Sequence, residues 1–167
     1  MSSVVIAGNT SGSITISAPD VSGDNTLTLP VATDTLVGKA TTDTLTNKRV
    51  TPRVNSTTTT TSPWAWNSDS FDVQEFTALA NALTINADAG TPTDGQKTIL
   101  RFKDNATTRT LTFTGAVSKG FQPIGVTMTV SGNNFTYATT VSKITYFGCV
   151  YNSGAARWDI VAIAQQA

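Results

Sequence analysis

Few residues of this chain could carry out chemistry. The chain contains no His, which removes Ser-His-Asp and Cys-His nucleophile systems and the commonest transition-metal ligand. Its single Cys, Cys149, stands between Gly148 and Val150 in an apolar run. A thiol in that setting is typically a small buried hydrophobe rather than a nucleophile. The sequence therefore predicts no catalytic residue of either kind.

Carboxylates are the remaining candidates for catalysis or metal binding. Asn86, Asp88 and Asp94 fall in one predicted turn region and could offer oxygen ligands to Ca²⁺. Their spacing fits no EF-hand loop, and Asp and Asn are ordinary turn residues. Glycoside hydrolysis would need two acids that converge on a cleft, whereas the acids after residue 63 are scattered: Asp69, Asp72, Glu75, Asp88, Asp94, Asp104 and Asp159. We expect no enzyme, no metal and no cofactor, so a glycan-cleaving enzyme is the weakest hypothesis.

Trp64 and Trp66 allow two interpretations. Standing two residues apart, they share a face if this segment is a strand. They could be surface contacts that stack on a sugar ring or anchor a partner. The interpretation we favour is that they fill the bottom of a β core or a seam between subunits.

The composition indicates which elements must position these residues. Only 13% of the residues are charged, about half the usual globular fraction, and the chain contains 32 Thr. Thr is β-branched and polar, which suits the solvated face of a strand. Because turn signals recur every 8–12 residues, the sequence predicts an all-β protein. The extended N-terminal β arm would precede a β-sandwich or jelly-roll-like head of seven or eight strands.

Three regions follow from a step in composition, because all aromatic residues lie at or after Trp64. Residues 1–53 are the predicted arm, 54–63 a Thr-rich linker, and 64–167 the head. The oligo-Thr tract 56–62 could also be an extended, solvated strand. Strands are predicted at 4–6, 13–17, 26–29, 71–79, 82–87, 96–103, 109–114, 121–130, 141–151 and 158–164. Of these, 96–103 and 109–114 should pair as a hairpin, and 141–151 should be central.

A nine-residue repeat occupies the middle of the arm. Asn25-Thr26-Leu27 returns with Leu36 and again with Leu45. This period fits neither a helix face nor one alternating strand, and short extended segments bury too little apolar surface to hold themselves together. We expect the repeat to contact either copies of itself or another surface. The predicted partner-binding residues are Leu27, Leu29, Leu36, Leu45, Asn47 and Lys48.

Charge and hydropathy limit the partners. The net charge is zero and no basic cluster is present, so we expect no nucleic-acid binding. No run of 18 apolar residues predicts a membrane span, and the N-terminus lacks the features of a signal peptide.

Two parts of the chain resemble virion structural proteins of tailed bacteriophages. The segment SITISAPDVSGDNTLTLPVATDTLVG, with the following TTDTLTNK, resembles N-terminal segments of phage fibre proteins. Residues 76–167, through GCVYNSGAARWDIVAIAQQA, resemble a small β domain of tail fibres and head decoration proteins. The resemblance implies a homotrimer without catalytic residues, made in the bacterial cytoplasm and carried on the virion.

Two functions are compatible with this resemblance. The first is a capsid decoration, or cement, protein (head fibre) that binds the major capsid protein through its arm and stabilises the shell. The second is a tail-fibre or tail-adaptor protein whose head binds a host receptor or glycan. Other virion proteins are further possible partners in both cases. An arm joined directly to one head leaves no room for a shaft, which favours the first.

Overall fold

The computed structural model describes residues 3–7, 10–17, 26, 44 and 46–167. The chain divides into two compact units, Met1–Lys48 (unit 1) and Arg49–Ala167 (unit 2). Every regular element among the described residues is a β-strand, which confirms the all-β prediction. Within the same residues, no helix is long and apolar enough to cross a membrane.

Unit 1 contains a β-hairpin. Strands β1 (Ser3–Ala7) and β2 (Ser13–Ser17) pair antiparallel, with Val4 opposite Ile16. Gly12, in the connecting loop, has a φ of +79°, a conformation that glycine adopts without strain. Both strands were predicted. The predicted strand 26–29 lies outside the described residues, apart from Thr26.

Unit 2 contains ten strands, all within the fully described range 49–167, in two sheets. The six-stranded sheet has the order β3-β4-β6-β11-β12-β8, and the four-stranded sheet has the order β5-β7-β10-β9. The strands are β3 (Val54–Thr57), β4 (Val73–Leu79), β5 (Leu83–Ile85), β6 (Lys97–Asp104), β7 (Thr110–Phe113), β8 (Phe121–Pro123), β9 (Thr129–Ser131), β10 (Asn134–Ala138), β11 (Ile144–Asn152) and β12 (Arg157–Gln165).

From β4 to β7 the strands alternate between the two sheets, whereas β3 and β4 both belong to the large sheet. Successive strands in each sheet are parallel: β3, β4 and β6 in the large sheet, and β5 and β7 in the small one. Trp64 adds a parallel bridge to Ile85. Each turn of the chain, with one strand in each sheet, therefore pairs in parallel with the preceding turn, as in a β-solenoid. Jelly rolls are antiparallel, so this half of unit 2 differs from one.

The rest of unit 2 closes this winding with antiparallel strands. β10 pairs with β7 and β9, and β11 pairs with β6 and β12. The predicted central position of β11 is therefore confirmed. β8 is added to the far edge by parallel pairing with β12.

One aromatic-rich core lies between the two sheets. Alternation along β6 buries Leu100 and Phe102, and alternation along β7 buries Leu111 and Phe113. The rings of Phe113 and Phe147 are 4.8 Å apart between centroids, although their strands belong to different sheets. Burial of this apolar surface is the main force that holds unit 2 together.

One feature of the predicted head is corrected. The strands at 96–103 and 109–114 exist, but the predicted hairpin is wrong, because β6 and β7 lie in opposite sheets. Both strands point apolar residues into the same core. In the segment that connects them, Ala106 has a φ of +68°, and the Arg109 N–H donates a hydrogen bond to Thr139 Oγ1. Residues 54–57 of the predicted linker form edge strand β3.

Candidate functional site

Asp88 is a buried carboxylate held by four donors. The backbone N–H and hydroxyl of Ser68 donate to it at 3.0 and 2.6 Å, the Gly90 N–H at 2.8 Å, and Trp158 Nε1 at 3.2 Å. Only glycine fits at position 90, since a Cβ there would lie 2.6 Å from Ser68 Oγ. With both oxygens occupied by protein donors, this carboxylate joins the loop before β4, the loop after β5, and β12.

Of the three candidate Ca²⁺ ligands, Asp88 and Asp94 both have carboxylates that accept hydrogen bonds from protein groups. Asp94 accepts a hydrogen bond from the Ser153 N–H at 2.9 Å, and this bond lowers the pKa of Asp94. The carbonyl of Asn86 accepts from Trp66 Nε1 at 3.0 Å, and Asp88 is engaged as described. Among the described residues, no group of three His, Cys, Asp or Glu side chains could hold a metal ion.

Asp104 is the second buried carboxylate, and it too supports loops. It accepts hydrogen bonds from the Thr139 hydroxyl at 2.8 Å, the Ser142 N–H at 2.9 Å and the Ala106 N–H at 3.0 Å. Asp104 and Asp88 each have their own separate set of donors. Each acid therefore supports its own set of loops.

Cys149 and Trp66 are core residues. The Cys149 side chain is buried and desolvation raises the pKa of its thiol, so the thiolate that nucleophilic chemistry needs is disfavoured. Trp66 is 0% exposed and packs on Trp158. Trp64 is partly buried and stacks on Phe71. The favoured interpretation of the two tryptophans holds, and Trp66 is not available as a surface contact.

A group of exposed aliphatic residues lies on the hairpin of unit 1. Val4, Ile6 and Ile16 are 49–62% exposed. Val4 and Ile6 alternate onto one face of β1, and Ile16 is the register partner of Val4, so the three share a face. We call them the hairpin face. Val5, on the opposite side, is also exposed.

Most residues predicted to bind a partner cannot be placed. Leu27, Leu29, Leu36 and Leu45 lie outside the described residues. Asn47 is exposed with a φ of +55°, and Lys48 is exposed. The hairpin face was not among the predicted contacts, although the absence of Lys, Arg, Asp and Glu from residues 1–19 was a signal that could have indicated it.

Arg53 ties the start of β3 to the loop before β4. It donates to Asp72 from its backbone N–H at 2.7 Å, from Nε at 3.2 Å and from Nη2 at 2.7 Å. Nη1 also bonds the carbonyl of Asp69. The hydrogen bond from the Arg53 side chain is the main reason that the pKa of Asp72 is lowered. Edge strand β3 is therefore held by side-chain bonds as well as by pairing with β4.

We predict that this contact makes stability depend on acid pH. A lowered pKa means that the stabilisation is fully present above the unfolded-state pKa and is lost as the pH falls through the folded-state value. Asp72→Asn should therefore lower the unfolding temperature by about 2 °C at pH 6, and this difference from the wild type should shrink as the pH falls toward 2. Thermal unfolding of both proteins across this range measures the difference. A constant difference down to pH 2 would contradict the assignment.

A surface cavity of about 430 Å³ lies on unit 2, lined by residues 116–118, 120–122 and 155–157. The two segments are joined by a hydrogen bond from the Lys119 N–H to the Ala156 carbonyl at 2.6 Å and one from the Trp158 N–H to the Gly120 carbonyl at 2.8 Å. Arg157 supplies the charged group of the cavity lining, and its Nε donates a hydrogen bond to Asp159 at 2.8 Å. Sequence reasoning missed this cavity because no motif marks it.

In comparisons with known proteins, no family model, no curated protein and no solved structure matches the chain.

Proposed function

We propose that this protein is a capsid decoration protein of a tailed bacteriophage. Residues 1–53 would bind the major capsid protein, and the β head would stay on the outside of the shell. Three copies would assemble as a homotrimer, with the two-sheet head as a sandwich. The phage assignment is supported by the sequence resemblance alone, whereas the attachment role has a structural observation in its favour.

The observation that carries the attachment role is the hairpin face. A two-stranded hairpin is marginally stable in water by itself, and here it exposes Val4, Ile6 and Ile16. Contiguous exposed aliphatic side chains of this kind mark interaction surfaces. No charged side chain occurs in residues 1–19, so docking there would desolvate no side-chain ion.

Binding of this kind is sufficient for a stabilising function. Among the described residues β1 and β2 pair only with each other, so an outer edge of the hairpin can pair with a strand of the capsid while the hairpin face buries its side chains against it. A protein that binds the assembled shell, and not its separated subunits, stabilises the shell by mass action. The mechanism is thus purely one of interfaces.

The experiment that tests the proposal is to count copies on heads and tails separated from purified particles. Decoration predicts on the order of hundreds of copies, all with the heads, because a capsid repeats its subunit surface many times. A few copies that leave with the tails would contradict decoration. That outcome would favour the second candidate, a tail-fibre or tail-adaptor protein, for which the cavity of unit 2 offers a place to bind a host ligand.

A further inference from the structure

We propose that the cavity lined by residues 116–118, 120–122 and 155–157 binds a carboxylate-bearing sugar, with Arg157 as the group that recognises the carboxylate. This site lies entirely in unit 2. It therefore does not depend on the surface that the hairpin face binds, and it goes beyond the decoration function.

The Arg157 guanidinium is held in place by Asp159, and its two Nη groups can still donate hydrogen bonds. Its Nε donates to Asp159 Oδ1 at 2.8 Å, and the other oxygen of Asp159 accepts from Asn152 Nδ2 at 3.2 Å. This arrangement holds the guanidinium plane, while Nη1 and Nη2 make no hydrogen bond to any residue that the structure describes. The side chain is 37% exposed. Two parallel N–H donors on a fixed plane match the two oxygens of a carboxylate.

The remaining walls suit a hydroxyl-rich molecule. Ala116, Ala155 and Ala156 carry small side chains, which leaves a volume of about 430 Å³, within the range of ordinary small-ligand sites. Ser118 and Gln122 also line it, and the hydroxyl and amide groups of these two residues can each donate and accept hydrogen bonds. A carboxylate on a sugar ring would use both the cation and these neutral groups.

The backbone around the cavity is strained. Ala116, Lys119 and Ala156 have φ values of +49°, +58° and +50°, a region that residues other than glycine seldom adopt. Such strain persists only where the surroundings impose it, and it concentrates at functional sites. Here it is imposed by the Lys119–Ala156 hydrogen bond and by a bond from Lys119 Nζ to the Gly90 carbonyl at 2.8 Å. The walls are thus set before a ligand arrives, which lowers the cost of binding.

The test is an NMR titration of the full-length ¹⁵N-labelled protein with galacturonate, galactose and acetate. Galacturonate should shift the amide signals of residues 116–122 and 155–157 with a Kd of about 1 mM, as expected for a ligand of this size. Galactose and acetate should each bind at least about tenfold more weakly, because galactose lacks the carboxylate and acetate lacks the sugar hydroxyls. Equal binding of galactose would exclude carboxylate recognition, and equal binding of acetate would exclude the sugar.

Three variants separate this site from general charge effects. Arg157→Gln should lose at least about tenfold in galacturonate affinity, the loss expected for a charge-assisted pair. Ala155→Trp should fill the cavity from an exposed position and abolish binding. The matched control is Lys97→Gln, which removes the same charge from an exposed residue of β6 and should bind like the wild type. Unchanged affinity in Arg157→Gln, or no shifts in the wild type, would overturn the proposal.

Discussion

Replacing Asp88 with Ala should destabilise the protein by about 4 kcal/mol. The substitution removes the acceptor of Ser68, Gly90 and Trp158, and it leaves buried donors without partners, each of which costs about 1–3 kcal/mol. The figure is below the sum of the separate costs because some donors can find new partners as the loops relax. Urea unfolding followed by tryptophan fluorescence measures it, since Trp66 and Trp158 both lie in this core.

Asp94→Ala is the matched control for this prediction. Asp94 is an exposed turn carboxylate with a hydrogen bond from the Ser153 N–H, so its loss should leave the urea midpoint of unfolding close to that of the wild type. Asp88→Asn retains the shape of the side chain but turns an NH₂ group toward donors. It should therefore lose at least half as much stability as the Ala variant. If the free energy of unfolding of Asp88→Ala is within about 1 kcal/mol of the wild-type value, Asp88 does not hold these loops together.

Replacing the hairpin face with serine should abolish attachment without unfolding the head. Each of Val4, Ile6 and Ile16 contributes about 1–2 kcal/mol when it is buried at an interface. The triple variant should therefore bind capsids at least about a hundredfold more weakly. Co-sedimentation with heads that lack the protein gives the binding curve, and the thermal unfolding of the tryptophan core of unit 2 should stay unchanged.

The matched control carries serine at two exposed valines of unit 2. Val130 and Val141 are 67% and 46% exposed, comparable to the hairpin residues, so Val130→Ser with Val141→Ser removes exposed aliphatic surface at two positions in another part of the chain. This variant should bind like the wild type. If both variants lose affinity equally, attachment depends on general hydrophobicity rather than on the hairpin face.

The elements that were predictable from sequence are those whose side chains alternate clearly. Both strands of the hairpin, the burial of Cys149 and the central position of β11 follow from local patterns of apolar and small residues. Trp158, at the start of the predicted strand 158–164, lies in the core and is 0% exposed. For β11 and β12, side chains that alternate between a buried and an exposed face identify the strand, so local sequence is sufficient there.

Pairing was harder to predict because alternation does not reveal the partner strand. Residues 96–103 and 109–114 have the pattern of a hairpin, yet Phe102 and Phe113 meet across the core with ring centroids 6.3 Å apart. The parallel winding from β3 to β7 depends on crossings between sheets that no turn motif in this chain specifies. Likewise β3 is polar and short, and the hydrogen bonds of Arg53 that hold it connect residues about 19 apart.

The candidate sites show the same limit. Asp88 was recognised as a possible ligand, but only the structure shows four donors converging on it from distant parts of the chain. The cavity around Arg157 joins two segments that are more than 30 residues apart in sequence and contains no recognisable motif. Sequence therefore indicates which side chains have useful chemistry, whereas their convergence depends on long-range pairing.

The claim that attachment lies in unit 1 is tested most directly by the capsid-binding curve of a fragment comprising residues 49–167. This fragment contains the whole aromatic core, so it should fold, with an unfolding temperature close to that of the full chain. We predict that it does not co-sediment with capsids at concentrations at which the full chain saturates them. If the folded fragment binds as tightly as the full chain, the attachment surface lies on the head and the account given for unit 1 is wrong.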